Sequence, residues 1–492
     1  MNDLEQHMVN NTANVIPVVR TIPADLLTPL AVYLKLSARS ANSFLLESVE
    51  GGRSLARYSF IGADPTIIVR GNDRSVEITD ESGPHSSAVG LYELLREHFQ
   101  TRVVPTESDL PAFIGGAIGY LGFDCCEWFE PTLKKGDSGD SEGAFMFFSS
   151  VVAFDHAKQL IQIISLVFPD EADGETSVDG LIKAADQRNS DVQRVLENDA
   201  ITIPTVAVSS SAAATTSNWE RSEFEGAVST IIELINAGEC YQAVISQCFS
   251  RPTSASPVSI YRALRSLNPS PYMFLLRFGG RSIIGASPEM LVRCEGRRLE
   301  YRPIAGTRPR GKSAVEDEAL AEEMRRDKKE VAEHLMLVDL GRNDLGRVAE
   351  YGSVKVETLM SVEKYSHVQH LVSSLSARLR EGLDRFDALA ACFPAGTVSG
   401  APKVRATEII RNLEPTPRGV YAGAVGYFDY TGNMDTCITI RTLVLEDGVA
   451  RIQAGAGIVA DSVPENEFDE TVNKAKVLLK AVDLAEQGRF SG

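Results

Sequence analysis

The sequence predicts an α+β fold. Three features carry that prediction. The first region, from 21 to 168, alternates short apolar runs with turns, as in Ser43-Phe-Leu-Leu46 and Tyr58-Ser-Phe-Ile61. Later strand-like runs come as hairpins: residues 272–278 and 281–286 flank Gly279-Gly280, and two long strands flank Thr431-Gly432-Asn433. Helical segments fall between groups of strands instead of alternating with each one, which excludes a doubly wound parallel sheet.

Taken in order, residues 1–20 read as a frayed leader, with neither the basic region nor the apolar run of a signal peptide. The mostly β region of 21–168 contains an exposed loop at 134–143. Residues 206–218, rich in Ser, Ala and Thr, form a linker to a second region at 219–486. Ser217 with Glu220 caps a helix carrying Phe224, Val228, Ile231 and Ile235, which stops at Asn236-Ala-Gly238. Strands follow at 241–249, 272–278, 281–286 and 291–301. Asp327 and Glu330 form a capping box for a helix with Val331, Leu335 and Val338 as its apolar stripe. A short helix is expected at 370–379, and the glycines of 393–403 open another over 404–413. Residues 436–445 read as a continuous buried strand, and a third strand ends at Gly455-Ala-Gly457. The last helix has Phe468, Val472, Ala475, Leu479 and Val482 on its apolar face.

Composition bounds the function. The chain of 492 residues has 49 Lys and Arg against 67 Asp and Glu, a formal charge of −18. Such a balance repels nucleic acid, and no basic stripe with interleaved aromatics counters it. No stretch is long and apolar enough for a membrane span. Seven cysteines are scattered without zinc spacing, as expected of reduced thiols in a cytoplasmic protein.

Two helices each present Glu-x-x-Glu: Glu330 with Glu333, and Glu467 with Glu470. A spacing of three stacks both carboxylates on one helix face, where they are either solvated or able to bring hard oxygen ligands to one Mg²⁺. Arg441 lies in the otherwise apolar run 436–445, and a buried guanidinium needs an anion, either an internal carboxylate or that of a substrate. Gly455 and Gly457 leave backbone N–H groups open to approach, with Tyr421 upstream. Gln242 and Ser246 share one strand face, a plausible polar lining. Other motifs mislead. Gly455-Ala-Gly457-Ile-Val-Ala460 matches a dinucleotide fingerprint, but Asp461–Pro464 interrupts the helix that a pyrophosphate needs. Residues 396–403 lack phosphate-loop spacing, and Gly238-Glu-Cys240 is followed by Gln242 where a nucleophile elbow has glycine.

These residues belong to a larger set: GASPEM (285–290), PIAGTRPRG (303–311), KKEVAEHLMLVDLGRND (328–344), FPAGTVSGAPK (393–403), GAGIVADS (455–462) and ENEFDETVNKA (465–475). With them the chain resembles the chorismate-utilising enzymes, most closely their anthranilate synthase component I branch, over nearly everything from Thr21 onward. The resemblance implies an α/β/β/α four-layer sandwich of packed, mostly antiparallel sheets. It implies Mg²⁺ on Glu333 and Glu470, with Glu330 and Glu467 close behind. Arg441, Tyr421 and the Gly457 amide would hold the enolpyruvyl carboxylate of chorismate, with Gly455 and Lys474 in the same wall. Glu289 would be the general acid at the C4 hydroxyl, His370 a proton carrier at the lyase step, and Thr397 and Gln242 part of the pocket.

Two positions separate the branches of that family. Isochorismate and salicylate synthases resemble this chain but carry Lys at the position of Gln242, and aminodeoxychorismate synthases carry Lys at the position of Ala305. Lacking both, the chain is expected to use ammonia and to make anthranilate, in the first step of tryptophan biosynthesis. The alternatives are an aminodeoxychorismate synthase, or a non-catalytic tryptophan-sensing scaffold. No cysteine sits in G-x-C-x-G, so the resemblance implies a separate glutamine amidotransferase subunit (component II), in a heterotetramer of two large and two small subunits. A further departure is Cys248, where relatives often carry Arg. Leu45-Leu-Glu47-Ser48 resembles the tryptophan-binding motif of the branch, with Asn268, Pro271, Tyr272 and Met273 as the opposite wall and feedback inhibition as its consequence.

Overall fold

Along the strand Tyr272–Phe278, Phe274, Leu276 and Phe278 point to one side and Met273 and Leu275 to the other, and both sets are buried. A strand covered on both faces requires a layer on each side of its sheet. The computed structural model supplies both layers. It describes residues 14–48, 57–102, 104, 110–134, 142–172, 176–201, 214–365 and 368–490.

The elements that build the site are, in chain order, β1 (Ile16–Pro23), β2 (Asn42–Glu47), α1 (Arg221–Asn236), β3 (Gln242–Pro252), α2 (Pro257–Leu267), β4 (Tyr272–Phe278) and β5 (Arg281–Ser287). They continue with β6 (Met290–Glu295), β7 (Ile304–Pro309), α3 (Lys328–Gly346), β8 (Val368–Arg378), α4 (Lys403–Leu413), β9 (Met434–Ile438), β10 (Thr442–Glu446), β11 (Val449–Ile458) and α5 (Pro464–Glu486). Among the described residues the strands form two sheets of 12 strands each. In the first, β2, β4, β5, β10, β11 and β3 lie side by side and antiparallel. The second holds β6, β7, β8 and β9. Both regions read from the sequence contribute strands to both sheets.

The inner faces meet in an aromatic core, where the Phe44 ring of the first sheet lies 4.7 Å from that of Phe148 in the second, edge to face. Phe278 and Tyr120 pair across the same gap at 5.8 Å. Outside the first sheet, Met273, Leu275 and Ile284 pack with Ile260 and Leu264 of α2 and Leu478 and Val482 of α5. Outside the second, Phe386 stacks on Phe428 at 4.5 Å. Helix, sheet, sheet, helix is the four-layer order expected.

Several local expectations are corrected. β1 begins at Ile16, inside the supposed leader, because eight residues pair with Leu160–Val167. Residues 1–13, 135–141 of the exposed loop and 202–213 of the linker lie outside the described residues, while Thr216–Ser217 pairs with β3. α1 is capped by Glu220 with Glu223 rather than by Ser217. Leu335 of α3 is exposed, and the buried face is His334, Leu337, Val338, Gly341 and Leu345. The segment from His370 is a strand, β8, not a helix. Leu371, Val372 and Leu375 fit a helical spacing, but they belong to a strand covered on both faces, whose apolar pattern does not alternate. The run 436–445 breaks at 439–441, where the chain leaves the second sheet for the first.

Candidate active site

Two crossings between the sheets lie side by side and carry two of the expected residues. β5 passes to β6 through Pro288-Glu289, and β9 passes to β10 through Thr439-Ile-Arg441. The Ala286 amide donates to the Arg441 carbonyl at 3.1 Å, and the Ile438 amide donates to the Glu289 carbonyl at 3.0 Å. Arg441 has φ +51°, a left-handed conformation that side chains with a Cβ rarely adopt. Its side chain leaves the crossing toward α5, where Nη1 donates to the Lys474 carbonyl at 3.4 Å. It forms no ion pair among the described residues. Burial lowers its pKa, against the pull of Tyr421 and Glu470. An arginine so placed is set to receive an anion.

Glu289 is 5% exposed, and burial pushes its carboxyl up to about 8, with Thr397 and the Ile304 amide opposing the rise. Its Oε1 and the Thr397 hydroxyl nevertheless make no hydrogen bond of normal geometry. Glu289 is therefore a neutral acid at pH 7 with a proton to give. The Thr439 hydroxyl is buried without a partner as well, two residues before Arg441. Sequence reasoning missed it, because Thr439 lies in the crossing itself, outside either strand.

Gly455 is required by close approach, since a Cβ there would lie 2.9 Å from the Ile245 carbonyl oxygen, while Gly457 packs against the flexible end of Gln242. A Cβ on Gly457 would lie 2.5 Å from Gln242 Nε2, and one on Gly455 would lie 2.8 Å from the Tyr421 hydroxyl. Tyr421 is buried, which raises its phenol to about 12 and keeps it a hydrogen-bond donor. Lys474 Nζ donates to the Gly455 carbonyl at 2.9 Å and pairs with Glu470 at 2.6 Å. Arg441, Tyr421, Gly455, Gly457, Gln242 and Lys474 are thus brought together. Ser246 is not part of the lining: its hydroxyl bonds Glu414 and Gln453.

α3 and α5 bring their Glu pairs within electrostatic reach of each other's lysines, Lys474 acting on Glu333 and Lys329 on Glu467. Burial raises the Glu333 carboxyl, Glu330 adds to it, and Gln242 and Lys474 oppose it. Burial also raises Glu467, with Glu470 adding and Ser462, Lys329 and Lys474 opposing. Glu330 accepts from Arg308 at 3.1 Å, and Glu470 is held by Lys474. Among the described residues no three His, Cys, Asp or Glu side chains stand as a ready-made metal cluster. The chemistry of these groups suits a hard divalent cation: all four offer carboxylate oxygens, and in Glu333 and Glu467 burial, with a neighbouring like charge behind it, disfavours the bare anion.

His370 opens the far side. Its Nδ1 lies 2.9 Å from the Gly306 carbonyl, which only accepts, so Nδ1 carries the proton and Nε2 keeps its lone pair. Gly306 has φ +68°, a left-handed conformation that favours glycine. Burial lowers the His370 pKa, leaving a neutral imidazole at pH 7.

Residues 41–480 match the family described as chorismate binding enzyme. The chain belongs to that family. Its relatives include anthranilate synthase component 1 of Acetivibrio thermocellus, 45% identical over 97% of each chain, and that of Pseudomonas putida, 44% identical over 96% of each. Among solved structures, anthranilate synthase component I from Streptococcus pneumoniae TIGR4 is 37% identical with a TM-score of 0.76, covering 93% of this chain and 99% of that one. The menaquinone-specific isochorismate synthase of Escherichia coli, 20% identical with a TM-score of 0.70, covering 97% of this chain and 98% of that one, shares the fold.

This chorismate-binding enzyme has a second cavity, of about 260 Å³, between the two sheets. Leu46, Glu47 and Ser48 line it beside Pro271, Tyr272 and Met273 on the first sheet, opposite Arg293, Tyr427 and Asp435 of the second. The Glu47 carboxylate already accepts from Tyr261 and from Arg265 Nε at 3.2 Å. Asn268 ends α2 and is not part of the cavity wall. No helix among the described residues is long and apolar enough to cross a membrane.

Proposed function

We propose that the protein is the large subunit of an anthranilate synthase, converting chorismate and ammonia to anthranilate and pyruvate by way of aminodeoxyisochorismate. The observation that carries this reading is Gln242, a buried neutral amide beside Glu333 and Gly457 where the hydroxylating branches place a lysine base. Ala305 on β7 likewise removes the lysine that would attack the ring directly. The nucleophile then has to come from outside.

Arg441, Tyr421 and the Gly457 amide hold the enolpyruvyl carboxylate, and Lys474 fixes this wall through the Gly455 carbonyl. Mg²⁺ on Glu333 and Glu470, with Glu330 and Glu467 behind them, would anchor and neutralise the ring carboxylate. Glu289 gives its proton to the departing C4 hydroxyl, which leaves as water while ammonia bonds to C2. His370 Nε2 then takes the C2 proton, the enolpyruvyl C–O bond breaks with release of pyruvate, and the ring becomes aromatic. Thr397 lines the pocket at Glu289.

A glutamine amidotransferase subunit supplies the ammonia, consistent with relatives named component 1, in a heterotetramer of two subunits of each kind. Tryptophan is the inhibitor read into the second cavity. Product identity tests the reading: chorismate, Mg²⁺ and ammonium should give the mass and absorbance of anthranilate. Accumulation of aminodeoxychorismate would overturn it.

A further inference from the structure

We propose that the buried Glu414–Arg418 pair positions the carboxylate-binding wall of this site, an inference that rests on the chorismate reading above. The Arg418 side chain is 1% exposed and that of Glu414 4%. Nε donates to Glu414 Oε2 at 2.9 Å and Nη2 donates to Oε1 at 2.7 Å. Nothing in stability alone calls for such a pair, since well-packed apolar residues serve a core as well as a buried ion pair does.

What sets the pair apart is its reach into three segments distant in sequence. Nη1 donates to the Val398 carbonyl at 2.7 Å, next to Thr397, and Nη2 to the Val244 carbonyl at 2.6 Å on β3. The guanidinium carbon also lies 4.4 Å from the Phe123 ring centroid and 5.6 Å from that of Tyr421. Glu414 Oε1 accepts both the amide and the hydroxyl of Ser246, each at 2.8 Å. The register of β3 against β11 carries this inward: Val244 stands opposite Gly457 and Ser246 opposite Gly455. One ion pair therefore fixes the strand under both glycines, the turn bearing Thr397 and the ring of Tyr421. Only the planar fork of arginine meets all these acceptors at once; a lysine ammonium on a flexible stem does not. Neither residue touches the proposed substrate, so they act through Gly455, Gly457, Thr397 and Tyr421.

Arg418→Lys, which keeps the charge, tests this, with thermal unfolding as the check that it folds. The KM for chorismate should rise at least tenfold with a smaller change in kcat, because binding of an unreacting carboxylate is lost. Hydrogen exchange of the amides at 397–399 and 455–457 should accelerate at least tenfold. Should Arg418→Lys fail to fold, Glu414→Gln carries both measurements, since it keeps the shape and the acceptor for Ser246. A folded variant with KM within twofold of wild type overturns the proposal. Wild-type protein that makes no anthranilate would overturn the chorismate reading instead. The exchange rates then decide the positioning role, unchanged rates overturning it.

Discussion

The Ala286 amide and the Arg441 carbonyl, 3.1 Å apart, tie the strand beside Met273 to the crossing that carries Arg441. On its other side Ala286 is the register partner of Met273, which lines the cavity between the sheets, and Met273 is in turn opposite Glu47. Three adjacent strands and one crossing thus connect Glu47 to the guanidinium of Arg441. Hydrogen-bonded strands do not slide independently, so a ligand that displaces β2 and β4 is expected to act on the Arg441 crossing.

Arg441 is the group most exposed to that effect. Arg441→Ala should lower kcat/KM for chorismate at least 100-fold, a loss of about 2.7 kcal/mol of transition-state binding. Arg441→Lys should recover little, because a bidentate contact is not restored by a point charge. An unchanged kcat/KM would make Arg441 a structural residue.

Glu289 sets a pH dependence of stability with a definite sign. Its folded pKa is raised to about 8 from an ordinary value of 4.5, so the folded state holds a proton that the unfolded state loses. The contribution is fully present below pH 4.5 and is lost as pH rises through 8. Relative to Glu289→Gln, wild-type stability should fall by about 1.4 kcal/mol per pH unit between those limits. Denaturant unfolding of both proteins from pH 5 to pH 9 measures it. Parallel curves would mean that Glu289 ionises freely. The same variant should lose turnover, having no proton to give.

The metal assignment makes a separate demand. Glu333→Gln and Glu470→Gln each remove an anionic oxygen from the proposed Mg²⁺ site, and each should raise the Mg²⁺ concentration needed for half-maximal activity at least tenfold. Normal turnover by both at low Mg²⁺ would place the cation elsewhere or nowhere.

Tryptophan should bind in the cavity between the sheets that Leu46–Ser48 and Pro271–Met273 line. Ser48→Phe fills that space and should weaken inhibition more than tenfold, over about 1.4 kcal/mol, with basal turnover retained. Glu47→Gln should act in the same direction, since the ligand ammonium would have to share Glu47 with Arg265. Titration at fixed chorismate decides. Curves that superimpose on wild type would remove tryptophan from this cavity.

Much of this was legible in the sequence where local chemistry settles it. The hairpins at 279–280 and 431–433, the Asp327 cap and the Glu-x-x-Glu pairs follow from turn chemistry and helical spacing. Gly457 is legible as an open amide, and the structure adds that a Cβ there would push on the end of the Gln242 side chain. The crossing at 439–441 was not legible, because a run of apolar residues looks the same whether it stays in one sheet or passes to the other. β8 was misread for a related reason, its two buried faces leaving no alternation to see. Nothing in Glu414-Pro-Thr-Pro-Arg418 marks the pair as buried, and only the packing of Phe123, Tyr421 and β3 around them shows that they are core. Thr439 and the displaced Asn268 depend on the same long-range packing.

The central claim is that this chain alone completes the synthase chemistry with free ammonia. The direct measurement is anthranilate fluorescence from pure protein with chorismate and Mg²⁺ at alkaline pH, supplied with either ammonium or glutamine. The account predicts sustained anthranilate formation with ammonium and none with glutamine. No anthranilate from ammonium, or glutamine-dependent formation without a second subunit, would contradict it.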